Sequence, residues 1–101
     1  MYLRVWHGVV PRRLADEYES FLVERAVPDY GGVPGLRKMY FSRRDEGGVT
    51  HFLLVTVWDS LESMERFTGG DPGVAKYYPE DEKYLLEKEE RVQIYRVFYE
   101  S

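Results

Sequence analysis

The sequence predicts an α+β fold, an antiparallel sheet with helices packed on one face. Three observations lead there. Tyr2 to Val10 and Val49 to Trp58 carry the alternation and apolar weight of strands. The stretches that follow each of them switch to helical spacing. Glycines and prolines gather at the junctions. The chain of 101 residues has room for one domain, residues 1–101, around a single core.

The elements follow in order. In Tyr2 to Val10, Leu3, Val5, His7 and Val9 share one side, while Tyr2, Arg4, Trp6, Gly8 and Val10 share the other. Pro11 ends the strand and suits a first helical turn, where its missing N–H is no loss. From Arg12, Leu14, Tyr18, Phe21, Leu22 and Arg25 fall at helical spacing, so a first helix is expected to about Ala26. Pro28 and the Gly31-Gly32 pair are expected to close it. Leu36 to Arg44 reads as a strand, and the glycines after it as a hairpin turn. Val49 to Trp58 is apolar on both faces. Asp59, with Glu62 three residues on, has the spacing of a capping box for a second helix lined by Leu61, Met64 and Phe67. Gly69 to Gly73 breaks that helix. Pro79 opens a further turn to about Lys88, with Glu80, Asp81 and Glu82 placed to complement its dipole. Arg91 to Glu100 is the last strand.

The order β-α-β-β-α-β is the ferredoxin-like pattern, with the first and third strands central. Helices cover only one face of such a sheet. The third strand is apolar on both, so a second copy of the sheet is the expected cover, and a homodimer the expected assembly.

Composition removes several functions. The net charge of −4 gives no electrostatic support to nucleic-acid binding. No apolar run approaches the ~18 residues of a membrane span. The start of the chain has no leader pattern, and a cytoplasmic location is expected. With no cysteine, thiolate chemistry and thiolate metal sites are absent. His7 and His51 lack the spacing of metal ligands, and no metal is expected. The absence of Asn and the single Gln93 point to heat adaptation.

RVWHGVVP, FLLVTVWDSLESMERFTGGDP and VAKYYPEDEKYLLE together resemble the antibiotic biosynthesis monooxygenase superfamily of dimeric α+β barrels. The resemblance spans nearly the whole chain and is most specific at the VWDS-to-helix junction. It implies a pocket between helices and sheet, and an activity among cofactor-independent oxygenases of polycyclic aromatic substrates, haem degraders or members without one. Better-known members place an Asn on the first strand, a Trp on the second main helix and, in haem degraders, a His soon after. Here there is no Asn, Phe67 stands at the Trp position and Tyr77 falls near the His. Haem degradation is therefore not expected.

The expected function is a monooxygenase-like enzyme acting without a cofactor on a small aromatic or polycyclic compound. The alternative is a non-catalytic dimer that binds a small ligand or serves under stress. If the face of Leu3, Val5 and Val9 meets the helices, His7 points into the pocket and can accept a substrate proton. The plainer reading is a core histidine with one hydrogen bond. Tyr77 and Tyr78 either bond the substrate through their phenols or pack as core and rim. Phe67, Met64 and Trp6 are expected to complete the pocket. His51 is expected to lie exposed near the hairpin.

Overall fold

The computed structural model describes all residues, 1–101. Its strands are β1 (Tyr2–Pro11), β2 (Leu36–Glu46), β3 (Val49–Trp58) and β4 (Gln93–Arg96). They form one antiparallel sheet in the order β2-β3-β1-β4, so the first and third strands are central, as expected for the ferredoxin-like pattern. The β2–β3 hairpin turns at Gly47 and Gly48, between the paired residues Glu46 and Val49. Gly47 takes φ 60°, which a side chain would resist.

The first helical run is longer than the sequence suggested. A 3₁₀ turn (Arg12–Leu14) leads into α1 (Ala15–Phe21). A π-helical turn (Leu22–Ala26) and α2 (Val27–Tyr30) continue it. Pro28 was expected to close the helix and instead lies inside α2. The π turn explains this. Val27 N–H reaches back to Leu22 O, and the widened backbone relieves the clash a proline ring makes with the preceding turn. The chain leaves the helix at Gly31, whose backbone is extended.

The second helix, α3 (Leu61–Thr68), is capped by Ser60 rather than Asp59. Ser60 Oγ accepts from Ser63 N–H at 3.1 Å. Asp59 is drawn off by its own contacts, an N–H to Gly35 O and an ion pair with Arg37. Gly69, at φ 77°, ends α3 in the left-handed conformation. The Pro79 helix is only a 3₁₀ turn (Pro79–Lys83). β4 is shorter than expected because β1, its sole neighbour, begins at Tyr2 and leaves nothing for later residues to pair with. Phe98 and Tyr99 extend beyond it, 88% and 79% exposed.

The helices cover the face of β1 that carries Arg4, Trp6 and Val10, all buried, and the matching residues Phe52, Leu54 and Trp58 of β3. Tyr18, Leu22 and Ala26 come down on them from the helical run. This reverses the phase anticipated for β1. Leu3, Val5, His7 and Val9 lie on the uncovered face, with Leu53, Val55 and Tyr40 beside them. Alternation reveals two faces, but not which of them the helices choose.

Candidate functional site

Between helices and sheet lies a cavity of about 410 Å³. Each wall comes from a different element. β1 contributes Arg4 and Trp6, two residues apart on one face, and β3 contributes Leu54. The helical run supplies Tyr18, Leu22, Ala26, Asp29 and Tyr30. Phe67 closes the α3 side. The loop beyond α3 adds Lys76, Tyr77 and Tyr78, and the 3₁₀ turn adds Asp81. Nine of these thirteen residues are hydrophobic, which suits an apolar ligand body held by a few polar groups.

Of the residues expected to build the pocket, Trp6, Phe67, Tyr77 and Tyr78 do line it. Met64 does not. It is fully buried in a separate cluster with Tyr30 and Trp58. His7 does not reach the cavity either, since it sits on the uncovered face. There His7 Nδ1 lies 2.6 Å from Glu89 Oε2, His7 Nε2 lies 3.0 Å from His51 Nδ1, and His51 Nε2 lies 2.9 Å from Glu46 Oε1. The two imidazoles stack at 5.2 Å, forming a row Glu89–His7–His51–Glu46 across the sheet. His51, expected to be exposed, is half-buried in this row.

The phenols are firmly engaged. Tyr18 donates to Asp81 Oδ1 at 2.9 Å, and Tyr78 N–H donates to Asp81 Oδ2 at 2.7 Å. Tyr77 donates to Glu89 O, and Tyr78 to Asp29. Burial, then the charge of Asp81, pushes the Tyr18 phenol far above the usual tyrosine range. Burial raises Tyr77 and Tyr78 as well, with Glu89 and Asp29 respectively adding to it. All three therefore stay protonated near neutrality and serve as donors, not bases. Asp81, read from sequence as a helix-dipole acid, is 2% exposed and ties α1 to the loop. The middle one of three acids after a proline gives no sign of burial, so sequence reasoning missed it.

Arg4, which from sequence could bind an acidic substrate or pair with an acid across subunits, lines the pocket. It is 2% exposed. Its Nε donates to Pro72 O and a terminal nitrogen to Val74 O, each at 3.0 Å. Both acceptors are neutral, and Arg4 forms no ion pair with any carboxylate. The Tyr30 phenol sits beside it. Burial lowers the Arg4 pKa from its usual value, but a guanidinium remains charged in any protein setting. A buried charge without a counter-ion costs several kcal/mol on the order of general estimates.

Trp6 holds the second anomaly. Its Nε1–H is buried and has no acceptor. Trp58, by contrast, donates to Thr56 Oγ1 at 2.8 Å. An unpaired buried donor costs about 1–3 kcal/mol. The Trp6 ring lies 6.0 Å from that of Tyr77, so it is both wall and unused donor.

The fold and cavity define an α+β ferredoxin-like domain with an aromatic chamber under its helices. No protein-family model and no curated protein matches the sequence. Among solved structures, the chain is similar to MhuD from Mycobacterium tuberculosis, described as a heme-degrader with two hemes bound in its active site. The TM-score is 0.70 at 17% identity, over 100% of this chain and 99% of that one. It is similar also to an arginine-to-serine variant of MhuD with two manganese protoporphyrin IX bound per active site. There the TM-score is 0.70 at 15% identity, over 100% and 98% of the two chains. At these identities the likeness is one of fold alone.

Proposed function

We propose that the cavity binds a small aromatic or polycyclic compound and that the protein is monooxygenase-like. The observation that carries this reading is the aromatic chamber around the unpaired Arg4 guanidinium. A substrate that can lose a proton to form a delocalised anion would be stabilised there by a fixed cation. Oxidation of a ring methylene balances with no external reductant. The CH₂ and O₂ give C=O and H₂O, and the substrate supplies the electrons. The walls offer no imidazole, and the phenols are protonated donors, so the substrate's own acidity does the work Arg4 assists. His7 takes no part in this reading.

A screen of anthrone- and quinol-like compounds with oxygen monitoring tests it. Oxygen uptake that falls at least tenfold in Arg4→Met supports the reading. Binding without uptake across the panel would leave the alternative, a ligand-binding protein without catalysis.

Haem is a second reading, favoured by the two structural neighbours, whose bound ligands are haem and manganese protoporphyrin. They weigh against the sequence expectation that haem degradation is remote. Arg4 and Lys76 would suit its carboxylates and the aromatic walls its ring. No histidine or cysteine lines the cavity, and its tyrosines are held as protonated donors, so no step is routed through haem. A haem titration read at the Soret band decides, and an unshifted band removes haem.

A homodimer is proposed with the uncovered face as its interface. Leu53, Tyr95, Phe98 and Tyr99 are exposed on or beside it, more apolar surface than a lone subunit ordinarily leaves wet.

A further inference from the structure

We infer that the cavity selects planar aromatic anions, carboxylates above all, and that Arg4 with Trp6 Nε1–H reads the negative head group. This deepens the proposed function and rests on the cavity being an aromatic site. Three observations carry it.

The first is an imbalance of partners. The two acidic side chains of the cavity already have donors. Asp81 is taken by the Tyr18 phenol and the Tyr78 N–H, and Asp29 by the Tyr78 phenol. The two cations have no anion. Arg4 meets only carbonyls and a neutral phenol, and Lys76 lies over the Phe67 ring at 5.0 Å with no carboxylate beside it. What the two cations lack is an anion paired with them.

The second is rigidity. Pro72 O and Val74 O hold the guanidinium through two of its five N–H groups, and the Tyr30 phenol stands at the remainder as the one neutral partner a carboxylate would displace or share. A guanidinium fixed in this way matches the two oxygens of a carboxylate and needs no rearrangement to bind them.

The third is the pairing of Arg4 with Trp6. They point the same way from β1 two residues apart, about 7 Å along the strand. Arg4 therefore shares its strand face with the one buried side-chain donor in the molecule that has no acceptor. An oxyanion at Arg4 brings an acceptor to that wall, and the ring behind it rests among Trp6, Phe67 and Tyr77.

Calorimetric titration with 2-naphthoate and its neutral isostere 2-naphthamide tests this. The expected result is naphthoate binding at least tenfold more tightly than the amide. In Arg4→Met the two should agree within about twofold, while Arg4→Lys keeps part of the preference. Trp6→Phe, which removes only the N–H and some ring, should lower the preference several-fold. It also stands in if Arg4→Met does not fold. Lys76→Met should retain most of the preference. Equal affinity for acid and amide in the parent overturns the anion inference and leaves the aromatic site standing. Failure of both to bind overturns the aromatic reading and this inference together. A preference undiminished in folded Arg4→Met overturns the assignment to Arg4.

Discussion

A methyl group at Gly8 would lie 2.4 Å from Trp6 Cη2 and 3.0 Å from Leu85 Cδ2. The missing side chain is what lets the indole lie along β1 as cavity wall. Gly8→Ala should push the ring aside and cost about 1–3 kcal/mol, read as a lower urea midpoint together with altered tryptophan fluorescence. An unchanged midpoint and spectrum would refute that role. The phenols make a second prediction at this scale. Tyr18, Tyr30, Tyr77 and Tyr78 all have raised values, chiefly from burial. In the unfolded chain such groups ionise near pH 10. The folded chain holds those protons longer, so their contribution to stability is complete below about pH 10 and lost as pH rises through the folded values. Urea midpoints should fall between pH 8 and pH 11, and the 295 nm absorbance of tyrosinate should rise on unfolding at pH 11. A midpoint that does not fall would contradict it.

At the scale of elements, Ser60 carries a prediction. Its hydroxyl caps α3, and Ser60→Ala should cost about 1 kcal/mol in a denaturant melt, whereas Asp59→Ala should cost less. The same residues mark how far the sequence was legible. Alternation in β1 and β3, the glycine hairpin and the order of elements all rest on local periodicity, and each stands in the structure. Where a choice depended on a distant partner, local pattern was blind. Asp59 has the right spacing for a cap, but Gly35 and Arg37 occupy it. His7 alternates with apolar residues, and only the docking of helices on the Trp6 face sends it outward. Arg4 could from sequence meet an acidic substrate or an acid across subunits, and only the folded loop shows it buried on the carbonyls of Pro72 and Val74. Tyr77 and Tyr78, open from sequence between substrate contact and core or rim packing, line the cavity. Asp81 looked like its neighbours Glu80 and Glu82, and burial alone separates it.

For the molecule as a whole, the uncovered sheet face is the largest open matter. Leu53→Glu places a charge at its centre and should convert a dimer to monomer in native mass spectrometry, with the subunit fold retained by circular dichroism. A monomeric parent at micromolar concentration would refute the proposed interface. Heat adaptation belongs here too. Besides lacking Asn and Cys, the molecule joins α1 to β2 through Arg43, which meets Asp16, Glu19 and Asp45. Isolated surface pairs contribute little, but a shared hub loses side-chain freedom once for three contacts. Calorimetry should find a Tm above about 65 °C, beyond the usual mesophilic range. No helix is long and apolar enough to cross a membrane.

The π turn at Leu22–Ala26 gives the chain a tolerance that ordinary helices lack. Deleting a residue from an α-helix twists everything beyond it by about 100°. A π turn already holds one residue more than an α-helical turn would, with α1 and α2 seated on either side of it. Removal of the exposed Glu24, combined with Pro28→Ala so that no proline ring meets the closed turn, should let the run close into plain α-helix with both flanks still in place. Removal of Glu19, in α1, should tear Tyr30 from the sheet. The roof of the cavity thus has one point where its length can change while its ends stay put, and the wall residues such a change would move are Leu22 and Ala26.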